Sequence, residues 1–198
     1  MPTGQSPSKL ILLDQTDSTN SEAWRAIAER GKSASGTIIL ANRQTAGRGQ
    51  RNHRWHSAPG LGLYMTAIDF PTTLPSACAP DLAPLAANAV LAALARLHCL
   101  PPGTAVKPPN DILVAGKKLC GVLIETRLSS PTAPDSSTAI EAIVAGFGLN
   151  LRHRAADFPP ELRDTATSLA LQSLPSIPSP AELATVLAAE WRARLSAL

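Results

Sequence analysis

A chain of 198 residues can bury the core of one ordinary domain, and 44% hydrophobic against 17% charged residues excludes a disordered chain. Three widely spaced cysteines, Cys78, Cys99 and Cys120, exclude a disulfide framework and a zinc pattern. The start lacks a secretory signal, and no apolar run approaches the roughly 18–20 residues of a membrane span, so a cytoplasmic setting without membrane contact is expected.

Residues 1–8, rich in Pro, Ser and Gly, read as a flexible N-terminus ahead of one domain over 9–198. Leu10 to Leu13 reads as a strand. Asp17, Ser18, Thr19 and Asn20 offer side-chain oxygens for the first free N–H groups of a helix. Ala23, Trp24, Ile27 and Ala28 follow at helical spacing, and Gly31 suits the stop. Thr37 to Ala41 predicts a second strand, and residues 42–60 read as a long loop, which in a compact domain is functional or disordered. Leu61 to Ile68 is the next strand. Asp81 to Cys99 is the longest helix, striped by Leu82, Leu85, Ala86, Ala89, Val90, Ala93, Leu94 and Leu97. A strand begins at Val106 and meets Pro108 and Pro109. Ile112 to Val114 and Leu119 to Thr126 flank Ala115-Gly116-Lys117 as a hairpin. Residues 129–138 read as a loop, Ala139 to Leu151 as a long strand interrupted at Gly146 and Gly148, and 152–180 as irregular with a short helix near Thr167 to Gln172. Ala181 to Ser196 closes the chain as an amphipathic helix. The fold class is α+β: a mixed, mostly antiparallel sheet packed with helices.

The net charge of +3 is less telling than its placement. Arg43, Arg48, Arg51 and Arg54 crowd one short segment with His53 and His56. Within it, Gln44-Thr45-Ala46-Gly47-Arg48-Gly49-Gln50-Arg51 sets an arginine between two glycines, which let backbone N–H groups approach an anion while the guanidinium forks onto it. A solvated basic loop and an RGG-like nucleic-acid segment are the alternatives. Only Trp55 interleaves with the basic residues and the chain is 4% aromatic, which argues against nucleic acid. Lys107-Pro108-Pro109-Asn110-Asp111 holds a lysine on a stiffened backbone, suited to charge developing as a carboxylate attacks a phosphate, or else a surface lysine beside a turn. Asp17-Ser18-Thr19-Asn20 is on physical grounds a helix start, whose N–H groups can also meet a ligand. Gly146 and Gly148 mark a close approach within a strand, or a bulge. His98 and His153 read as structural, and Cys120 as a small buried apolar side chain.

In order along the chain stand Asp17-Ser18-Thr19-Asn20, Gln44-x-x-Gly47-Arg48-Gly49, Trp55-x-Ser57, Lys107-x-Pro109-Asn110-Asp111, Lys118-Leu119-x-Gly121-Val122-Leu123-x-Glu125 and Gly146-x-Gly148-x-Asn150. This order and spacing resembles the catalytic domain of bacterial biotin–protein ligases, over roughly residues 9–197. The resemblance implies an α+β fold that joins biotin and ATP into biotinyl-5′-AMP, with Mg²⁺ accompanying ATP, and passes biotin to a lysine of the biotin carboxyl carrier domain of acetyl-CoA carboxylase or a related carboxylase. It assigns Ser18, Thr19, Asn20, Gln44, Gly47, Arg48, Gly49, Gln50, Lys107 and Gly121 to biotin. It assigns Arg48, Gln50, Arg51, Trp55, Lys107, Asn110 and Asn150 to the nucleotide. Lys107 and Arg48 are the catalytic pair, with Lys107 bridging the biotin carboxylate and the α-phosphate. Asp111 is assigned to orienting the incoming lysine or Mg²⁺, and no metal held by the protein alone is expected.

The chain departs from the family pattern at Pro108, where Trp is usual, and at Gln50, where Arg is usual; losing that charge is expected to loosen the grip on the adenylate. The motifs begin by Asp17 and the chain stops at the last helix, so neither an N-terminal winged helix nor a C-terminal β-barrel is expected, and no DNA partner. The resemblance leaves monomer and homodimer open. Lipoate or octanoate transfer on the same fold, and a biotin-binding paralogue without turnover, are the rival functions.

Overall fold

A computed structural model describes residues 9–129, 138–172 and 174–198, so the expected flexible N-terminus and most of the 129–138 loop lie outside the described residues. Leu10–Thr16 (β1), Ile38–Gln44 (β2), Gly62–Asp69 (β3), Thr104–Lys107 (β4), Asp111–Val114 (β5), Lys117–Leu128 (β6) and Ile140–Asn150 (β7) form one sheet in the order β1-β2-β3-β7-β6-β5-β4. Only β1 and β2 run parallel; every other neighbouring pair is antiparallel. The expected mixed, mostly antiparallel sheet is what forms. Helix α1 (Thr19–Arg30) connects the parallel pair, because a parallel neighbour cannot be reached through a tight turn.

Period-two alternation splits the strands between two faces. Ile143, Ala145, Phe147 and Leu149 of β7 join Met65, Val122 and the apolar stripes of α2 (Leu82–Arg96) and α3 (Pro180–Leu195) in the main core. Ala142 and Val144 point the other way, against Ala23 and Ile27 of α1. Helix α1 does not cover the whole of that second face, and the uncovered part carries the site. The α3 helix starts on a capping box, in which the Ser179 hydroxyl accepts from the Glu182 N–H at 3.1 Å, and it is pinned to β3 by the buried Asp69. The Asp69 carboxylate accepts from Trp191 Nε1 and Arg192 Nε, both at 2.8 Å.

Several boundaries differ from expectation. Strand β2 continues beyond Ala41 to Gln44 because Arg43 and Gln44 still have partners in Gln15 and Thr16 of β1. Strand β4 begins at Thr104, ahead of Val106. Strand β7 is not interrupted at its glycines: Gly148 is paired with Tyr64 on one side and Gly121 on the other. A glycine flanked by two strands keeps the ladder and only removes a side chain from the face. Ser76–Arg96 is helical and apolar enough to cross a membrane by length and composition, correcting the expectation of no such stretch; here its Leu82, Ala86, Val90 and Leu94 lie in the core. Ala115 and Gly116 both take positive φ, 48° and 79°, the geometry of a two-residue hairpin turn between β5 and β6. Burial pushes the Cys120 thiol up, as befits the expected small apolar core side chain. His153 is likewise buried, stacked on Phe158 at 4.9 Å, whereas His98 takes φ 53° just past the end of α2.

Candidate active site

Helix α1 opens with Ser18 as its N-cap, yet the Ser18 hydroxyl makes no capping bond. The Asp17 carboxylate accepts from the Ser18 N–H at 2.7 Å instead, and Ser18, Thr19 and Asn20 are buried at the wall of a cleft. The cap residues are therefore spent on the site and not on the helix. The Gln44 carbonyl Oε1 at the end of β2 accepts from the Thr19 N–H at 2.8 Å, and Gln44 Nε2 donates to Ser57 Oγ at 3.1 Å. Thr66 of β3 donates to Asn20 Oδ1 at 2.7 Å, while Asn20 Nδ2 donates to Glu125 at 3.2 Å. A buried amide must be satisfied, and these bonds fix its orientation.

The cleft is open at its mouth, and its empty volume of about 450 Å³ includes solvent there. Its lining brings together, of the residues expected from sequence, Ser18, Thr19, Asn20, Gln44, Arg48, Gly49, Gln50, Trp55, Asn110 and Gly121. The 45–61 loop folds back over it: the Trp55 N–H donates to the Gly47 carbonyl at 2.9 Å and the Gly49 N–H to the His53 carbonyl at 2.7 Å. Gly47 is a packing position behind the wall, since a Cβ there would lie 2.9 Å from the Trp55 carbonyl and 3.0 Å from Gln44 Nε2. The loop is strapped across the mouth by Arg48, which donates to Ser21 of α1 at 2.5 Å and to Glu125 of β6 at 3.0 Å.

Besides Gly47, four expected residues lie off the cleft wall. Lys107 is exposed at the end of β4. Arg51 is exposed, with φ 54°. Asn150 is buried and its amide donates to the Thr167 carbonyl at 2.9 Å, tying the end of β7 to the following segment. Asp111 does not face the cleft freely: its carboxylate holds Lys118 Nζ at 2.6 Å. Asn110 does line the cleft, with its Nδ2 donating to the Val122 carbonyl at 2.8 Å.

Sequence reasoning gave no role to Lys118, Glu125, Ser57 or Thr66, although most fall within its motifs, and read Gly146 and Gly148 as a close approach or a bulge. Gly121 and Gly148 stand opposite each other on β6 and β7. Together they form a trough for the Trp55 indole, whose atoms would lie 3.0 Å and 2.5 Å from a Cβ at those positions. The ammonium of Lys118 lies 5.5 Å from the Trp55 ring centre, a cation–π contact. The buried indole N–H meets no acceptor among the described residues. Glycines two apart on a strand, with a third on the partner strand, were the signal available for this trough.

The seven-stranded mixed sheet thus carries a polar cleft under an arginine–glycine loop. The chain belongs to the biotin/lipoate A/B protein ligase family, whose sequence profile matches residues 12–136. It is 35% identical over 164 residues to the bifunctional ligase/repressor BirA of Bacillus spizizenii, a match covering 83% of this chain and 47% of that protein. It is 32% identical over 162 residues to the biotin–[acetyl-CoA-carboxylase] ligase of Mycobacterium tuberculosis, covering 81% and 54%. The chain thus spans about half the length of these curated relatives. Its fold superposes on the biotin protein ligase of Aquifex aeolicus, solved in complex with biotin and ATP, with a TM-score of 0.73 at 28% identity, covering 95% of this chain and 70% of that one.

Proposed function

We propose that this chain activates biotin with ATP and transfers it to a lysine of a biotin carboxyl carrier domain. In the first step a biotin carboxylate oxygen attacks the α-phosphorus, the bond to pyrophosphate breaks, and biotinyl-5′-AMP forms. In the second, the carrier's lysine amine attacks the acyl carbon, loses a proton, and AMP leaves with the C–O bonding pair.

The observation that carries this reading is the polarity of the cleft from end to end. Its buried wall offers neutral amides and hydroxyls from Ser18, Thr19, Asn20 and Gln44, which suit the neutral ureido ring of biotin. Its mouth is cationic and glycine-lined, with Arg48, Gly49 and Lys118, which suits a carboxylate and phosphates. Trp55 and Gln50, which the resemblance assigns to the nucleotide, line the cleft, whereas Lys107 is exposed off its wall. The loop's closure over the mouth excludes water from a mixed anhydride that water would hydrolyse.

Among the described residues, no group of three or more His, Cys, Asp or Glu side chains gathers to hold a metal. Asp111 and Glu125 are already engaged by Lys118 and Arg48. A Mg²⁺ accompanying ATP would take phosphate and water ligands and help neutralise the charge of the departing pyrophosphate.

The test mixes the protein with ATP, Mg²⁺ and either biotin or lipoate, and follows pyrophosphate release and labelling of a carrier domain. Biotin-dependent release with carrier labelling is expected. Lipoate-dependent turnover would assign the chain to the lipoate branch of the family, and tight biotin binding without release of pyrophosphate would make it a binding protein.

A further inference from the structure

We infer that Glu125 is a positioning residue: it sets which way the Asn20 amide faces, and so makes the cleft select an acid whose ring carries N–H donors. The inference rests on the ligase reading above and names the feature of biotin that this wall would recognise.

Three elements of the site meet on one carboxylate. Arg48 of the loop donates to Glu125 Oε1 at 3.0 Å, and Trp24 Nε1 of α1 donates to Oε2 at 2.8 Å. These two bonds hold the carboxylate from both ends. Asn20 Nδ2, one turn before Trp24 on α1, donates to the same Oε2 at 3.2 Å. Asn20 lines the cleft and Glu125 does not, so Glu125 reaches a ligand only through its neighbours.

An amide can face either way, and its partners decide. Thr66, 2.7 Å from Asn20 Oδ1, does not decide, because a hydroxyl can donate or accept. A carboxylate only accepts, so Glu125 takes the Nδ2 side. The Leu123 carbonyl, also an acceptor only, adds a longer bond from Nδ2 at 3.4 Å. Oδ1 is thereby turned over the β7 backbone at Gly146, where a Cβ would overlap it. Gly146 lines the cleft beside Asn20.

Oδ1 accepts from Thr66 through one lone pair and keeps the other for a ligand. Asn20 is 4% exposed, so a ligand that displaces water without offering a donor leaves that acceptor unpaired. The ureido ring of biotin carries N–H groups, and the dithiolane ring of lipoate carries none. Were the amide reversed, its NH₂ would face the ligand and the preference would vanish.

The test measures biotin and lipoate affinity by calorimetry, with thermal melts, for the wild type, Glu125→Gln, and Glu125→Gln combined with Asn20→Asp. Glu125→Gln keeps the shape but can donate where the carboxylate accepts, so the Asn20 amide loses its fixed direction. Biotin affinity should fall roughly tenfold, the worth of one hydrogen bond, while lipoate affinity stays within about twofold. In the double variant donor and acceptor trade places: the amide at position 125 donates to the carboxylate at position 20, and an oxygen faces the cleft again. Biotin affinity should then return to within about threefold of wild type, and since both variants lack the Arg48 ion pair, the recovery cannot come from Arg48. Equal weakening of both acids, or no recovery in the double variant, would show that Glu125 acts through Arg48 or the fold and would overturn the inference. Unchanged biotin affinity in a folded Glu125→Gln would overturn it too, leaving the ligase reading intact. If Glu125→Gln does not fold, recovery of fold and affinity in the double variant supports the inference, and its absence overturns it. A wild type that binds no biotin overturns the ligase reading, and this inference with it.

Discussion

Gly148→Ala tests the trough directly. A Cβ at Gly148 would lie 2.5 Å from Trp55 Cε2, 2.7 Å from Nε1 and 2.9 Å from Cζ2. Ordinary carbon contacts begin near 3.5 Å, so the indole must retreat by about 1 Å. It is a rigid ring and cannot yield by a terminal rotation. Overpacking of this kind costs about 1–3 kcal/mol. For a chain of this length each kcal/mol moves Tm by roughly 2–4 °C, so a cost near 2 kcal/mol lowers Tm by about 4–8 °C. The same retreat lifts the ring from the Lys118 ammonium and from the cleft; under the proposed function, loss of one aromatic platform is worth about 1–3 kcal/mol, so KM for ATP should rise on the order of tenfold. The assay is a thermal melt and ATP titration of Gly148→Ala, Trp55→Ala and the double variant. In the Trp55→Ala background the methyl meets no indole, and Gly148→Ala should then cost almost nothing. An equal loss of stability in both backgrounds would show that the clash with Trp55 is not the cause.

The remaining predictions concern the anchor of α3, the buried histidine and the loop. Asp69→Ala strips the acceptor from the Trp191 N–H and a carboxylate from Arg192, and should cost about 3 kcal/mol or more in chemical denaturation; a change below 1 kcal/mol would contradict the anchor. Burial, with His56 adding to it against Asp157, lowers the His153 pKa from 6.5 to about 4. The unfolded chain then binds the extra proton first, so stability is full above pH 6.5 and falls towards pH 4, by about 3 kcal/mol at roughly 1.4 kcal/mol per pH unit. His153→Phe should flatten that slope in denaturation curves taken between pH 4 and 7, and an unchanged slope would place its origin elsewhere. Gln50→Arg restores a charge at the cleft wall and should cut the biotinyl-adenylate escaping to hydroxylamine by roughly fivefold, about 1 kcal/mol for a charged over a neutral hydrogen bond; undiminished escape would show that residue 50 does not grip the adenylate.

The elements that depend on local pattern were legible. The stripe from Leu82 to Leu94 gave α2, Gly31 ended α1 with φ 55°, and the Ala115-Gly116 turn joined β5 to β6. Most of the cleft wall was legible too, because Ser18 to Asn20, Gln44 and the Arg48 loop are compact motifs in the chain. Illegible were the positions whose meaning arises only through pairing. Gly121 and Gly148 lie far apart in sequence and make one trough because β6 and β7 place them opposite each other. The bond from the Asn150 amide to the Thr167 carbonyl likewise exists only once the segment after β7 packs back.

The two lysines show the same limit most sharply. Lys107 stands beside two prolines in a chemically suggestive stretch, and Lys118 stands in an ordinary-looking strand. Side-chain parity along a strand is fixed by counting, and a single extra residue reverses every side chain beyond it. Strand β6 has such an extra residue, because its register with β5 shifts between Cys120, paired with Ile112, and Lys118, paired with Leu113. Counting back from Gly121 without this bulge puts Leu119 in the cleft and a lysine ammonium in the core. Burying that charge among Val122, Phe147 and the helices would cost several kcal/mol, so the bulge is the arrangement that keeps both the leucine and the lysine in acceptable surroundings. The physical penalty that forces the bulge is readable in Lys118-Leu119-Cys120-Gly121, where an alternating pattern gives way to two adjacent apolar residues. Its consequence, a cation aimed at the site, needed the partner strand.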